Sequence, residues 1–194
     1  MRRISLHSMS LAAAVVVGTF AMTACTVTKT DTAAAPRSDS TSLQVRSDAA
    51  LERLYQTAPG SKELVQRARG VLIFPSVIGG SFVVGVEHGR GELRVGGKRE
   101  SEYSTTGASI GWQAGGASKA VIYVFNTQEA LNKFRNSSGW SVGADASVTA
   151  GRVGANGSID TTSAQAPVTS FVINNVGLEA GVSLQGAKIT RVTN

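Results

Sequence analysis

From Val71 to Asn126 the chain alternates apolar runs with connections of a few residues, and this constrains the fold more than anything else in it. Such connections are too short for the crossovers that parallel strands need, so successive strands must run antiparallel. Val71-Leu72-Ile73-Phe74 reads as a strand stopped by Pro75. Ser81–Glu87 reads as the next, with Phe82, Val84 and Val86 on one face. His88-Gly89-Arg90-Gly91 reads as a turn, Glu92–Val95 as a return, and Gly96-Gly97-Lys98 as its end. Ser104–Gly116 and Ala120–Asn126 read as a further pair around Ala117-Ser118-Lys119. Trp140–Ala150, Val153–Ile159, Val168–Ile173, Ala180–Leu184 and Ala187–Val192 supply the remaining extended segments. The fold class expected is α+β: an antiparallel, β-rich domain, barrel- or sandwich-like with a strongly coiled sheet, and about three short helices.

The helices have their own signals. Ser47 is placed to cap a helix with Asp48 in its first turn and Leu51, Leu54 and Tyr55 on one face. Ala58-Pro59-Gly60 breaks it. Ser61 is placed to cap a second helix, with Leu64, Val65 and Ala68 inward and Gly70 just past its end. Thr127 or Asn126 caps a third, which runs to Arg135 with Ala130, Leu131 and Phe134 inward.

The front of the chain carries no such pattern. Met1-Arg2-Arg3 is a basic leader start, and Leu11–Met22 is an apolar run of 12 residues. A bilayer span needs about 20, so the run suits the apolar region of a secretory signal. It ends Met22-Thr23-Ala24-Cys25, and Cys25 is the single cysteine. This resembles the bacterial lipobox, with Met22 where Leu is usual. The resemblance implies cleavage before Cys25, acylation of Cys25 (palmitate among the chains), and a lipid-anchored envelope protein. The resemblance also implies outer-membrane sorting, because Thr26, and not an Asp, follows the cysteine. Residues 1–24 are thus expected as a signal peptide and 25–42 as a flexible tether. Thr26–Ser42 is Thr/Ser/Ala-rich, and its 17 residues would reach roughly 20–25 Å. The domain is expected over 43–194.

Composition excludes more than it identifies. One cysteine allows no internal disulfide and no cysteine-rich zinc site. The two histidines are His7, in the leader, and His88, which leaves one imidazole for catalysis or metal binding. No metal or other cofactor is expected. Behind the leader, 17 basic residues face 13 acidic ones, too dilute for nucleic acid, which is recognised by a dense basic face. The excess lies in residues 43–135, with 12 basic and 8 acidic groups, against 3 and 3 in 136–194. An anionic partner would therefore meet the first two thirds of the domain. The candidate headgroup ligands are Lys62, Arg67, Arg69, Lys119, Lys133 and Arg135.

Three other patterns bear on chemistry. Gly107-Ala108-Ser109-Ile110-Gly111 matches the G-x-S-x-G of a nucleophile elbow, but alternation continues through it and no histidine follows Ser109. Ser109 is kept as a remote hydrolase candidate only. Asp145 and Asp160 lack the spacing of a calcium loop. Glycine recurs at alternate positions in Gly107–Gly115 and Gly143–Gly151, which marks either close approach of packed groups or a groove for a ligand.

Several stretches together resemble the SYLF domain family, found in bacterial envelope proteins and in eukaryotic lipid- and actin-associated proteins. They are Ala68-Arg69-Gly70-Val71-Leu72-Ile73-Phe74-Pro75, Gly89-Arg90-Gly91, Thr106–Gly115, Tyr123-Val124-Phe125, Ala130–Phe134, Ser138-Gly139-Trp140 and Gly177–Gly186. The resemblance runs from about Ala49 to the C-terminus, with Tyr103 where a Trp is common. It implies phospholipid binding without a catalytic signature; actin binding belongs to the eukaryotic relatives. The function expected is a membrane-anchored lipoprotein that holds anionic phospholipid headgroups and is not an enzyme. The alternative is a structural or host-interaction protein with a protein partner.

Overall fold

Val71 and Ile73 alternate with Leu72 and Phe74 along one strand, and both sets are buried, so the sheet must be covered on its two faces. The computed structural model describes residues 35–80, 84–110, 117–145, 147–153, 158–179, 184 and 186–193. The leader, Cys25 and the first part of the tether lie outside the described residues. Residues 34–194 form one unit. Its order is α1 (Ala35–Thr57), α2 (Ser61–Arg67), β1 (Gly70–Gly80), β2 (Val84–Val95), β3 (Lys98–Ile110), β4 (Ala117–Phe125), α3 (Gln128–Arg135), β5 (Trp140–Ser141), β6 (Thr149–Ala150), α4 (Thr161–Gln165), β7 (Val168–Ile173) and β8 (Lys188–Arg191).

All eight strands join one curled sheet in the order β5-β8-β3-β2-β1-β4-β7-β6. Every pair is antiparallel except β6 with β7, which is parallel. The α+β, β-rich expectation therefore holds, as a half-barrel with four helices.

One face carries Val71, Ile73, Ile122, Val124, Phe171 and Ile173 against Ala50, Leu54 and Ala58 from α1 and its end, and Leu64 from α2. The other carries Leu72, Phe74, Leu93, Tyr103, Tyr123 and Phe125 against Leu131 and Phe134 of α3 and against Trp140. Trp140 is the hub of this second layer. Its ring meets Tyr123 edge-on at 5.7 Å and Phe134 edge-on at 5.4 Å, the geometry that opposes the negative ring face to a positive edge. Burial pushes the Tyr123 hydroxyl pKa well above its ordinary value, with Glu87 adding to the rise.

Several local expectations change. Pro75 does not stop the first strand. β1 runs on to Gly80, and the register with β2 shifts between Ile73 and Ser76. Proline has no N–H to give to a ladder, and a bulge removes the need. His88-Gly89-Arg90-Gly91 is accordingly no turn but the middle of β2, facing that bulge. A Cβ at Gly91 would lie 2.5 Å from the Ile73 carbonyl oxygen, and one at Gly89 2.9 Å from that of Ser76. These glycines make room for a crowded neighbour. The turn is at Gly96-Gly97, both at positive φ (57° and 77°), as hairpins of this kind require.

The expected pairing of Ser104–Gly116 with Ala120–Asn126 is not found among the described residues, which leave out 111–116. β3 pairs with β2 and β8, and β4 with β1 and β7. Trp140–Ala150 is not one strand; Gly143, at φ 91°, lies in a turn between β5 and β6. Ala180–Leu184 lies, but for Leu184, outside the described residues.

The helices also differ. α1 is 23 residues long and begins at Ala35, so residues 35–42, expected in the tether, are helical. Pro36 suits a first turn, where its missing N–H costs nothing. Ser47 is no cap: it is buried within α1 in line with Leu43, Ala50 and Leu54, at helical spacing. Ser61 is no cap either, since Gly60 holds that position and the Ser61 hydroxyl donates to the Leu54 carbonyl at 3.4 Å. Gly70 opens β1 instead of following α2, and a Cβ there would meet Leu131 of α3 at 2.8 Å. Thr127 caps α3 as expected, accepting from the Ala130 N–H at 3.2 Å.

Candidate functional site

Charged side chains collect in two places, and pairing separates them. The first lies under the N-terminal half of α1. Arg94 of β2 donates to Asp48 of α1 at 2.6 Å and to the Gln44 carbonyl at 3.3 Å. It also grips Glu92 Oε1, at 2.6 Å from Nε and 2.5 Å from Nη2. Glu92 is fully buried, and its Oε2 has only Arg99 Nε at 3.5 Å, an ion-pair distance without hydrogen-bond geometry. Arg99 and Arg90 both reach Glu102, the latter at 2.7 Å. Burial alone would lower the Arg94 pKa; its hydrogen bonds to Asp48 and Glu92 outweigh that, and the net shift is upward. Three arginines thus meet three carboxylates. A small cleft lined by Leu43, Arg46, Arg90 and Glu102 sits at the margin of this cluster. The cluster clamps α1 to the sheet, and its net field is small.

The second collection rings the end of the sheet where β1 begins. Arg67 ends α2, and Arg69 precedes Gly70 and donates its backbone N–H to the Phe125 carbonyl at 2.8 Å. Lys98 leaves the Gly96-Gly97 turn at the same end, because Val71 pairs with Arg94 and Val95 with Lys98. α3 crosses this end on the opposite face from α2, with Leu131 against Gly70, and brings Lys133 and Arg135. Arg67, Arg69, Lys98 and Lys133 are exposed and form no ion pair among the described residues. Arg135 is held by Glu100 at 2.9 Å. Glu63 and Glu129 are the other carboxylates on these helices, and the end keeps a net positive charge.

The six cations read from the sequence therefore divide. Arg67, Arg69, Lys133 and Arg135 share one end, the last of them neutralised. Lys62, exposed, opens α2 more than a turn before Arg67. Lys119 is at the opposite end of the sheet, in an ion pair with Glu87 at 2.9 Å. That pair spans β1: Glu87 is opposite Gly79, whose missing side chain leaves the crossing open. Lys98 was not singled out in the sequence. Its signal is the Gly-Gly-Lys hairpin, which points a lysine off the strand end once β2 and β3 are recognised as one ribbon.

The remaining candidates have structural roles. Ser109 lies in β3 opposite Gly85, and the segment after it, 111–116, lies outside the described residues. Asp145 accepts from the Ser141 N–H at 2.6 Å and closes the turn after β5. Asp160 caps α4, a helix with no counterpart in the sequence reading, by accepting from the Ser163 N–H at 2.6 Å. That bond, with further hydrogen bonding to Ser163, lowers its pKa. Gly151 is where the Phe171 ring approaches too closely for any side chain, so the alternate glycines record packing there. His88 stands exposed on β2.

Residues 106–194 match the family model Ysc84, described as Las17-binding protein actin regulator. The match starts within β3, and residues 49–105, over which the SYLF resemblance also runs, precede it. No curated protein matches the chain.

Proposed function

We propose, from the premise that residues 106–194 of this chain belong to the SYLF (Ysc84) domain family, that the protein is a membrane-tethered module holding anionic phospholipid headgroups by charge attraction. The family is one of binding domains rather than of known enzymes. In this reading acylated Cys25 is the tether, the cell envelope is the location, with the outer membrane as the sheet of lipid concerned, and the basic end of the sheet meets the headgroups. One observation carries it: Arg67, Arg69, Lys98 and Lys133 stand exposed around one end of the fold and form no ion pair among the described residues. Guanidinium and ammonium groups left without carboxylates keep their field for a partner, whereas the arginines under α1 spend theirs on Glu92, Glu102 and Asp48.

Each cation near an anionic membrane contributes about 1 kcal/mol. Arg67→Ala, Arg69→Ala and Lys133→Ala together should therefore weaken binding roughly 100-fold. Co-sedimentation of residues 34–194 with phosphatidylglycerol vesicles, and with phosphatidylcholine vesicles as the neutral reference, reads this directly. Equal binding to the two lipids, or a triple variant that binds like the parent, defeats the electrostatic reading. The family description favours actin as a second partner for the same cations, and a filament co-sedimentation run separates acidic protein from acidic lipid.

A further inference from the structure

The sheet face that carries α1 extends beyond the helix, and there it is polar. Tyr103, Trp140 and Ile189 are buried in the layer against α3. Side chains alternate along a strand, so Ser104 and Thr106 of β3, and Lys188 and Thr190 of β8, point to the α1 side. Ladder partners share a face, and Thr106 has one on each side: His88 of β2 and Lys188 of β8. The row beside it sets Arg90, Ser104 and Thr190 in register. His88, Arg90, Thr106 and Lys188 are exposed, and Ser104 and Thr190 half-buried. Ile78, the partner of His88 in β1, bounds the patch on its apolar side. The Ser104 and Thr190 hydroxyls are hydrogen-bonded to each other at 3.0 Å. Such a pair uses one of its two protons and keeps the other to donate outward. The stem of Lys188 lies over Gly139, where a Cβ would come within 3.2 Å of the lysine Cε and 3.7 Å of the Thr190 methyl. The missing side chain at Gly139 thus seats the lysine beside Thr190. Glu102 borders the patch and is shared by Arg90, at 2.7 Å, and Arg99, which orients the Arg90 guanidinium. His88 and Lys188 form no ion pair among the described residues.

We propose that His88, Arg90, Ser104, Thr106, Lys188 and Thr190 form a site for one phosphate monoester. The donors select the ligand. Imidazole, guanidinium and ammonium groups around hydroxyls offer hydrogen bonds from several directions to a single acceptor group. A phosphate monoester presents three terminal oxygens and carries more than one negative charge at neutral pH. A carboxylate has fewer oxygens, and the diester of a common phospholipid has fewer oxygens and a single charge. Spacing agrees. Ladder partners stand about 5 Å apart, so His88 and Lys188 flank Thr106 at roughly twice that separation. A phosphate fits above the Thr106 hydroxyl with both side chains reaching in. The patch shares no residue with the basic end around Gly70 and does not rest on the headgroup reading. A soluble phosphorylated molecule and a lipid that ends in a monoester carry the same group, and the experiment tells them apart.

The test uses the full chain and two kinds of probe. One is glycerol 3-phosphate in solution, read by calorimetry. The other is a phosphatidylcholine vesicle holding either phosphatidic acid, a monoester, or phosphatidylglycerol, a diester, read by co-sedimentation. Thr106→Val removes the hydroxyl and keeps the shape, and Lys188→Gln removes the charge. Both positions are exposed, and circular dichroism verifies that the variants fold. The parent should bind glycerol 3-phosphate, prefer phosphatidic acid to phosphatidylglycerol, or do both. Each variant should weaken that signal at least about tenfold, the loss of one hydrogen bond to an ionised group. Binding of glycerol 3-phosphate with no preference between the lipids supports the site with a soluble ligand. A preference for phosphatidic acid without glycerol 3-phosphate binding supports it with a membrane lipid. Neither signal in the parent overturns the proposal, as does a signal that both variants leave intact. The combined Arg67→Ala, Arg69→Ala and Lys133→Ala variant should keep the monoester signal; if it loses that signal together with phosphatidylglycerol binding, the separate site is overturned.

Discussion

The two ends of the sheet are built from the same four strands and differ in what their charges face. Around Gly70, cations of α2, α3 and the β2–β3 turn project from helix ends and a hairpin, and of these only Arg135 meets a strand carboxylate, Glu100, among the described residues. Around Gly80, Lys119 is matched by Glu87 across a glycine. A count of basic residues treats Lys119 and Arg69 alike. The structure does not, because a paired charge has no long-range field to offer and an unpaired one does.

The largest effect expected is on the clamp that isolates both ends from the charges in between. Arg94→Ala leaves the buried Glu92 carboxylate with Arg99 alone at 3.5 Å, and such a loss costs about 3 kcal/mol, seen as a lower denaturation midpoint. Vesicle affinity of the folded variant should be unchanged; a fall comparable to that of the basic-end variant would erase the distinction between clamping and binding arginines. Salt comes next. Raising ionic strength from 0.05 to 0.5 M shortens the screening length to several Å and should weaken vesicle binding about tenfold. Vesicle binding that ignores salt would remove charge attraction from the basic end. Lys119→Ala should matter less, removing an ion pair worth at most about 1 kcal/mol and leaving vesicle affinity within about twofold. The smallest effect concerns α4, remote from the comparison and a control for it. The Asp160 pKa is lowered in the fold, so its cap is in place above the ordinary aspartate value of about 3.9 and is lost as pH falls through the lower folded value. Hydrogen exchange at the Ser163 amide should quicken in that window, and Asp160→Ala should remove the pH dependence.

The elements that could be read in the sequence are those whose signals are local. Thr127 with the apolar spacing of Leu131 and Phe134 specifies α3, the Gly96-Gly97 pair specifies its hairpin, and the buried runs of β4 and β7 stand out by length and by valine and isoleucine content. What failed depended on neighbours. Pro75 reads as a stop until Gly89 and Gly91 are seen to yield space to a bulge on the adjacent strand. The beginning of α1 is polar and has no amphipathic signature of its own; Leu43 and Ser47 become inward positions only with the sheet beneath them. The site behaved the same way. Arg67 and Arg69 are visible at the end of a helix, but nothing local says that Lys98 and Lys133, from separate elements, arrive at the same end, that Lys119 lies at the other end against Glu87, or that Glu100 neutralises Arg135.

The strand order has a consequence for synthesis. β1 occupies the middle of the sheet and the ladder grows outward from it, but the outer side of β3 is filled by β8, whose Arg191 pairs with Tyr103. A chain leaving the ribosome therefore presents β3 as a bare edge for the whole time needed to make the 77 residues between Ile110 and Lys188, and a bare edge is a template for any passing strand. Premature termination anywhere before Lys188 would strand the nascent protein in that sticky state, which makes the last few residues of the sheet its safeguard against clumping.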